Sequence, residues 1–204
     1  MRVITNLSSG KMGVALAREA WLRGADVSYI YGGGLAPPEY IRGRKVVTTE
    51  EMRDAALDEL GKGGCDTFVM AAAPADFEPE VQAKAKIRTR DGTLALRLKP
   101  SPKIIDEVRK GWPEILLVAF KAETAPEKDE LSRAAKKFRK ESGADIVVAN
   151  DASGGKAFGA DTNSVLMVDH RGSKSIGERS KREIAGSVLD EVGRLLRQSA
   201  LRKA

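Results

Sequence analysis

The stretch Cys65-Asp-Thr-Phe-Val-Met-Ala-Ala-Ala73 decides the fold. It is a nearly continuous apolar run, which is typical of a strand buried on both faces of a parallel sheet. Two further apolar runs, Ile115 to Phe120 and Ala144 to Ala149, repeat this pattern later in the chain. Stretches with apolar residues at helical spacing separate the runs. This alternation predicts an α/β protein, a three-layer sandwich with a Rossmann-like parallel sheet.

Helix starts and stops flank these strands. Lys11 to Arg23 has helical spacing and is followed by Gly24, a residue that commonly ends helices. Capping residues mark three further helix starts, at Thr48 with Glu51, at Ser101-Pro102 and at Ser180 with Glu183. Since no long linker divides the 204 residues, we expect one domain.

Shorter strands and two hairpins complete the predicted architecture. Ala25 to Tyr31 alternates like a strand, and Val46-Val47 is a second, short one. An Asp-Gly turn and alternating leucines predict a hairpin over 84–98, and the chain around 163–176 predicts another. The domain is therefore divided into a Rossmann-like part (1–83), a hairpin region (84–100) and the rest of the sheet with a C-terminal helix (101–204).

Composition excludes several classes of protein. The net charge of +6 permits nucleic-acid binding, but the basic residues are scattered and only 5% of residues are aromatic, so no base-stacking platform is expected. No apolar run approaches the roughly 20 residues of a membrane span, and no signal region follows Met1. The one cysteine, Cys65, is expected to be buried beside a strand in a reducing compartment. We therefore expect a cytoplasmic protein that does not bind membranes or nucleic acid.

Two segments are candidates for a ligand site. Asn6-Leu-Ser-Ser-Gly-Lys-Met-Gly13 lies between a predicted strand and a helix, where backbone N–H groups attract anions. It matches neither a Walker A loop nor GxGxxG, so phosphate binding and a plain capped helix start both remain open. Asp76 follows the strand of 65–73 and should emerge where open α/β sheets bind ligands, although it could also simply cap a turn.

The other charged residues are less informative by themselves. Lys84, Lys86, Lys136 and Lys140 could meet phosphates or could be ordinary surface lysines. His170 is the only histidine, which makes a histidine metal site or a Ser-His triad improbable. Nucleotide-driven activation suits such a chain, because it relies on positioning and charge stabilisation.

Six motifs together resemble one family. They are Ile4-Thr-Asn-Leu-Ser-Ser-Gly-Lys-Met-Gly13, Ala71-Ala-Ala-Pro-Ala-Asp76, Lys84-Ala-Lys-Ile87, Val118-Ala-Phe-Lys-Ala-Glu-Thr124, the lysines at 136 and 140, and Val147-Val-Ala-Asn-Asp151. Their order over nearly the whole chain resembles that of phosphopantothenate-cysteine ligase (phosphopantothenoylcysteine synthetase). The Pro-Ala-Asp-Phe, Ser-Pro-Lys-Ile-Ile and Phe-Lys-Ala-Glu variants are similar to those of its archaeal branch.

The resemblance implies an enzyme of coenzyme A biosynthesis. Such a ligase uses CTP, or ATP in some relatives, to activate the carboxylate of 4′-phosphopantothenate as an acyl-nucleotide. The amine of L-cysteine then displaces CMP and forms the amide. Mg²⁺ would be held mainly by the nucleotide phosphates, with Asp76 as a possible ligand. The resemblance further implies a homodimer that contacts through the middle hairpin region, and a flavin-dependent decarboxylase as a fused domain or partner.

The resemblance also implies roles for particular residues. Asn6 would hold the acyl-nucleotide for attack by cysteine, and Lys86, on a mobile hairpin flap, would reach the base and take part in catalysis. The implied nucleotide-binding residues are Ser8, Gly10, Gly13, Met70, Ala71, Ala72, Asp76, Lys86, Pro102, Lys103, Ile104, Ile105, Phe120, Lys136, Lys140 and Asn150.

Two departures from the family pattern bear on these expectations. Family members have a first strand and a Gly-Thr-Glu loop before the motif at Asn6, and both are missing before Met1. Three alternatives therefore stay open: a true start upstream, a trimmed chain, or a chain that is incomplete as a catalyst. Lys103 stands where bacterial members have Asp, which leaves the choice between CTP and ATP open.

Two other functions compete with the ligase. One is a truncated or regulatory nucleotide-binding domain of the same fold without catalysis. The other is a nicotinamide-dependent oxidoreductase, which is disfavoured because the chain has no GxGxxG and no acidic residue closing the second strand.

Overall fold

The computed structural model describes residues 4–81, 95–124, 127–152 and 159–203. The helices are α1 (Lys11–Leu22), α2 (Thr49–Gly61), α3 (Ile104–Gly111), α4 (Lys128–Ser142) and α5 (Lys181–Lys203). The strands are β1 (Ser28–Tyr31), β2 (Arg42–Lys45), β3 (Thr67–Met70), β4 (Phe77–Pro79), β5 (Leu98–Pro100), β6 (Leu116–Glu123), β7 (Ile146–Asp151), β8 (Thr162–Val168) and β9 (Ser173–Ser180).

The largest sheet has five strands in the order β3-β6-β7-β8-β9. Strands β3, β6 and β7 are parallel: Val69 pairs with Val118, which pairs with Ile146 on its other side. The hairpin of β8 and β9 is added antiparallel to β7, which confirms the hairpin predicted around 163–176. Because β3, β6 and β7 run the same way, their carboxyl ends meet at one edge of the sheet, called here the carboxyl edge.

Two smaller sheets accompany the main one. Strands β1 and β2 form a parallel pair, and β4 and β5 form an antiparallel pair. In the described ranges no hydrogen-bonded pairing connects β1 to the five-stranded sheet. Ile30 of β1 nevertheless packs against the buried cluster of the main sheet. The predicted α/β class is therefore confirmed, with its parallel strands divided between two sheets.

The apolar runs follow from burial on both faces of the central strands. Neighbouring residues of a strand point to opposite faces, and Leu117 and Val118 are both fully buried, as are Val147 and Val148. Leu117 and Val147 pack with residues of α2, α3 and α4, whereas Val118 and Val148 pack with α1 and α5. Helices thus cover both faces, and the three-layer sandwich is confirmed.

Two predicted helix caps are present in the structure. The Glu51 N–H donates to Thr48 Oγ1 at 3.0 Å, while Glu51 Oε2 accepts from the backbone N–H of Thr48. Ser180 and Glu183 make the same reciprocal pair at the start of α5. Both capping boxes are confirmed.

Several local predictions are wrong. The strand predicted at Val46-Val47 lies four residues earlier, because β2 pairs with β1 from Arg42 onward. Its arginines are held by α2: Arg44 forms an ion pair with Asp58 at 3.0 Å. Cys65 is exposed rather than buried, since it precedes β3. The helix predicted to start at Ser101-Pro102 begins instead at Ile104, and Ser101 extends the pairing of β5 with β4 through a hydrogen bond from its N–H to Asp76 O.

Other predictions are met only in part. Residues 4–10 have no regular secondary structure, so the strand expected before α1 is absent from them. The hairpin expected over 84–98 falls largely outside the described residues; its described end lies in β5, which pairs with β4. No helix in the described ranges is both long and apolar enough to cross a membrane.

Candidate functional site

The segment 4–10 reaches the carboxyl edge of the main sheet. Asn6 is exposed, and its Nδ2 donates to the backbone oxygen of Pro74 at 3.0 Å. Pro74 lies in the connection between β3 and Asp76, which is the second candidate segment. The structure therefore brings together two motifs that are 68 residues apart in the sequence.

Gly10 allows this segment to pack closely. It has a left-handed φ of 72° and lies directly before α1. A Cβ built on Gly10 would lie 2.6 Å from the Leu35 backbone nitrogen, so no larger residue fits without backbone movement. A Cβ built on Gly34 would in turn lie 2.9 Å from the Gly10 backbone, and the Leu35 N–H donates to Ser9 O at 3.1 Å. The loop after β1 is thus fixed against the turn before α1.

Gly13 has a packing reason of its own. A Cβ on Gly13 would lie 2.7 Å from the Tyr29 hydroxyl oxygen. Tyr29 is largely buried on β1, and this burial raises the pKa of its hydroxyl. A larger residue at position 13 would therefore require the Tyr29 side chain to shift, which gives this glycine a packing reason that is separate from any ligand.

The start of α1 is suited to an anion. Gly10 provides no side-chain cap, and the first turn, all of it described, contains no acidic residue. The first N–H groups of a helix lack intrahelical partners and carry a partial positive charge. Ser8, just before this turn, is exposed. The geometry is compatible with phosphate binding at Ser8–Gly10.

Asp76 forms a bridge to the start of α3. Its Oδ1 accepts from the ammonium of Lys103 at 2.7 Å, and both side chains are more than half exposed. Lys103 is the residue directly before α3. Since this carboxylate is already paired with a cation, it is a poor sole ligand for a metal. Within residues 4–81, 95–124, 127–152 and 159–203 no three His, Cys, Asp or Glu residues cluster as a metal site would require.

The residues before α3 divide into buried and accessible ones. Ile104 is 2% exposed and belongs to the core, so only its backbone can meet a ligand. Pro102 and Ile105 are half-buried. Ser101 is buried, and in the described part of the chain its Oγ has no hydrogen-bond partner. The sequence analysis assigned Ser101 only a capping role, although a serine directly before a predicted ligand segment was a usable signal.

The ends of β3, β6 and β7 place five more candidates near this edge. Met70 and Ala71 are half-buried at the end of β3, and Ala72 follows them. Phe120 on β6 pairs with Val148 and packs partly against the core. Asn150, half-buried on β7, is two residues further along that strand. All of these residues occupy the last part or the exit of a parallel strand.

The lysines are not collected at this edge. Lys136 and Lys140 are both exposed on α4. Lys140 lies three residues before Gly143, which precedes the start of β7, so within one copy it lies at the opposite end of β7 from Asn150. Lys84 and Lys86 lie outside the described residues.

The sequence analysis missed two lysines that hold the carboxyl edge together. Lys11 and Lys181 both contact residues 159–161, which precede β8. One signal was available: each lysine is the first residue of a helix, where acidic residues are favoured and cations are not. That both lysines contact residues 159–161 could not be predicted from the sequence.

Comparison with known proteins places the chain in a family. Residues 1–195 match the family model described as the DNA/pantothenate metabolism flavoprotein C-terminal domain. The chain belongs to this family.

Relatives of known name agree with that membership. The chain is 43% identical over 197 residues to the coenzyme A biosynthesis bifunctional protein CoaBC of Thermococcus kodakarensis, covering 96% of this chain and 48% of that protein. It is 36% identical to the CoaBC of Methanocaldococcus jannaschii, covering 97% and 47% respectively. Both organisms fit the predicted archaeal branch. The chain thus spans about half the length of these family members.

A solved structure confirms the fold of the family. The crystal structure of the C-terminal domain of a coenzyme A biosynthesis bifunctional protein CoaBC superposes with a TM-score of 0.79 and 26% sequence identity. The match covers 97% of this chain and 88% of that one. Layers and sheet order are therefore those of the family.

Proposed function

We propose that this chain is a phosphopantothenate-cysteine ligase, which forms the amide between 4′-phosphopantothenate and L-cysteine in coenzyme A biosynthesis. The observation that carries the proposal is the contact between Asn6 and the loop after β3, which joins two of the six family motifs at one edge of the sheet. The membership in the family and the names of its relatives support the same activity.

The proposed reaction has two steps. The carboxylate of 4′-phosphopantothenate attacks the α-phosphorus of CTP, the bond to pyrophosphate breaks, and an acyl-cytidylate forms. The amine of L-cysteine then attacks the acyl carbon, CMP leaves with the bonding electrons, and the amine proton passes to solvent. ATP would serve in the same way and release AMP.

Each part of the carboxyl edge has a role in this proposal. The N–H groups at Ser8–Gly10 bind phosphate, because this helix start carries no competing carboxylate. Asn6 binds the acyl-nucleotide: one N–H of its amide is used by Pro74, which leaves the second for the ligand. The backbone of 70–72, Asp76, the start of α3, Phe120 and Asn150 surround the nucleotide. Lys86 contributes positive charge. Lys136 and Lys140 do not lie at this edge within one copy, so their binding of the nucleotide through charge is proposed from the family motif alone.

Magnesium enters the proposal only with the nucleotide. The described residues do not form a protein site for Mg²⁺, because Asp76 is paired with Lys103. Mg²⁺ commonly binds substrate phosphates and keeps several waters. We therefore treat it as the counterion of the triphosphate.

A homodimer is part of the same proposal. Large apolar side chains are exposed on the ribbon of β4 and β5 and beside it: Phe77 is 52% exposed, Leu98 45% and Leu96 54%. An apolar surface of this kind is typical of an interface between proteins. A second copy of the chain is the proposed occupant, and the decarboxylase named above would be a separate domain or partner. Sedimentation of the wild type and of Leu98→Lys tests the dimer, which the charge should dissociate.

Product analysis tests the ligase. The purified chain is incubated with 4′-phosphopantothenate, L-cysteine, Mg²⁺ and either CTP or ATP, and products are measured by mass spectrometry and a pyrophosphate assay. We expect equal amounts of pyrophosphate, nucleoside monophosphate and amide. Saturable nucleotide binding without pyrophosphate release would instead identify a non-catalytic nucleotide-binding domain.

A further inference from the structure

Lys11 and Lys181 attach the starts of two helices to the same short segment. Lys11 Nζ donates to Gly159 O at 2.6 Å and to Asp161 Oδ1 at 2.7 Å, across about 150 positions of sequence. Lys181 Nζ donates to Ala160 O, and its backbone N–H donates to Asp161 O at 3.0 Å. Residues 159–161 are therefore held by α1 and α5 together.

The two lysines are in places that local preference disfavours. Each is the first residue of its helix, where the helix dipole repels a cation. Lys181 is only 8% exposed, and burial lowers its pKa, with the nearby charge of Lys11 lowering it further. Local rules that a protein breaks are commonly broken for a tertiary contact or a function. Here the tertiary contact is the attachment of 159–161.

Lys11 connects this attachment to the candidate site. The segment 6–11 contacts three loops: Asn6 contacts Pro74, Ser9 and Gly10 contact residues 34–35, and Lys11 contacts residues 159 and 161. The first contact is a single hydrogen bond of an exposed amide, and the second is a close backbone approach with one backbone hydrogen bond. The Lys11 contact is the charged one, with two acceptors, and it acts directly beside Ser8–Gly10.

We infer that Lys11 is a positioning residue: its ammonium group fixes the turn before α1 to residues 159–161, and so holds the phosphate-binding N–H groups and Asn6 in register. The inference rests on the proposed ligase function. Two of the three N–H groups of its ammonium are used by Gly159 O and Asp161 Oδ1, and this attachment is what the positioning role depends on. Misplacement of a binding turn by about 1 Å is expected to lower the rate up to about 100-fold.

The test compares four single variants and one double variant. Lys11→Met keeps the length of the side chain and removes the charge, Lys11→Arg keeps the charge, and Asp161→Asn removes the partner carboxylate. Lys62→Met is the matched control, because Lys62 forms an exposed ion pair with Glu59 only three residues away. For each variant we measure kcat and KM for pyrophosphate release, nucleotide affinity and the melting temperature.

The expected pattern is specific to a positioning role. Lys11→Met lowers kcat/KM by about 10- to 100-fold with little change in melting temperature. Lys11→Arg retains most of the wild-type kcat/KM. Lys62→Met has the kcat/KM of the wild type. Asp161→Asn lowers kcat/KM in the same direction but less, since Gly159 still accepts from Lys11. The double variant Lys11→Met with Asp161→Asn is no worse than Lys11→Met.

Other results would overturn the inference. If Lys11 bound phosphate directly, Asp161→Asn would free the ammonium and leave nucleotide affinity equal or tighter. If Lys11 only stabilised the fold, Lys11→Met would lower the melting temperature and leave the kcat of the folded protein unchanged. If the wild type has no ligase activity, the proposed function fails. Hydrogen exchange then still tests the positioning role, because the backbone amides of 8–14 should exchange faster in Lys11→Met than in the wild type. Equal exchange rates would overturn the inference.

Discussion

The middle of the central strands and the loops at their carboxyl ends are held by different forces. Leu117, Val118, Val147 and Val148 are fully buried between two helical layers. At the carboxyl edge, by contrast, Asn6 and Asp76 are exposed and are held by a few polar contacts. Stability should therefore depend on the strands, and ligand binding on the loops. Substitutions in one region should leave the property of the other unchanged.

The largest expected effect is on the stability of the strands. Leu117→Ala leaves a cavity in a densely packed interior and should lower the free energy of unfolding by about 2–5 kcal/mol. Urea denaturation measures this change. Leu22 is 58% exposed, so the control Leu22→Ala should lower the free energy of unfolding by about 0.5 kcal/mol or less. A comparable loss in both variants would contradict the division between the regions.

At the carboxyl edge, Asn6→Asp should affect chemistry and not folding. A carboxylate would repel the phosphate of the acyl-nucleotide, and the loss of an amide donor to a reacting group commonly lowers the rate about 100-fold or more. Acid-quenched reactions should show the acyl-nucleotide accumulating, because activation continues while amide formation slows. If pyrophosphate release fails equally, Asn6 has a different role.

Lys136 and Lys140 on α4 give a further test, because they belong neither to the buried central strands nor to the carboxyl edge. If they bind the triphosphate through charge, Lys136→Ala and Lys140→Ala should each weaken nucleotide binding by about 1–3 kcal/mol while the melting temperature stays constant. Their neighbour Lys137, which faces Glu141 at 3.8 Å, is the control. Calorimetric titration with CTP measures the affinities. Equal affinities for all three variants would show that the α4 lysines are ordinary surface residues.

The smallest expected effect is a change in one pKa at the carboxyl edge. The hydrogen bond from Lys11 lowers the pKa of Asp161. Asp161 therefore stabilises the fold above the ordinary carboxyl pKa of about 3.9, and this contribution is lost as the pH falls through the lowered pKa of the folded state. In Lys11→Met the pKa of Asp161 should rise toward its ordinary value, since the charge of Lys181 still lowers it. An NMR titration of the Asp161 carboxyl carbon measures it, and an unchanged value would show that the contact does not exist in solution.

Much of the fold could be predicted because its signals are local. Burial on both faces gives β6 and β7 their continuous apolar runs, and reciprocal hydrogen bonds give Thr48 and Glu51 their capping pattern. The predictions failed where pairing between segments overrode the local pattern. Arg42–Lys45 is a charged stretch that forms a strand because it pairs with β1 and its two arginines form ion pairs with acidic residues of α2.

The candidate site could be predicted only as a set of segments. Family motifs pointed to Asn6, Asp76 and Asn150, and all three lie at or beyond the ends of parallel strands or in contact with such a loop. The ion pair of Asp76 with Lys103 was not predicted, because a turn aspartate and a helix-capping lysine 27 residues apart carry no pattern in common. It was this pairing that weakened the case for Asp76 as a metal ligand.

The sequence by itself determined the α/β class, the apolar central strands and the family, since these depend on the spacing and identity of neighbouring residues. Only the tertiary structure decided which distant groups meet. Lys11 and Asp161 are 150 positions apart, and their contact at 2.7 Å exists because α1 and α5 cover the same face of the sheet. Which distant residues come into contact depends on how the helical layers pack on the sheet, and the periodicity of the sequence does not predict this.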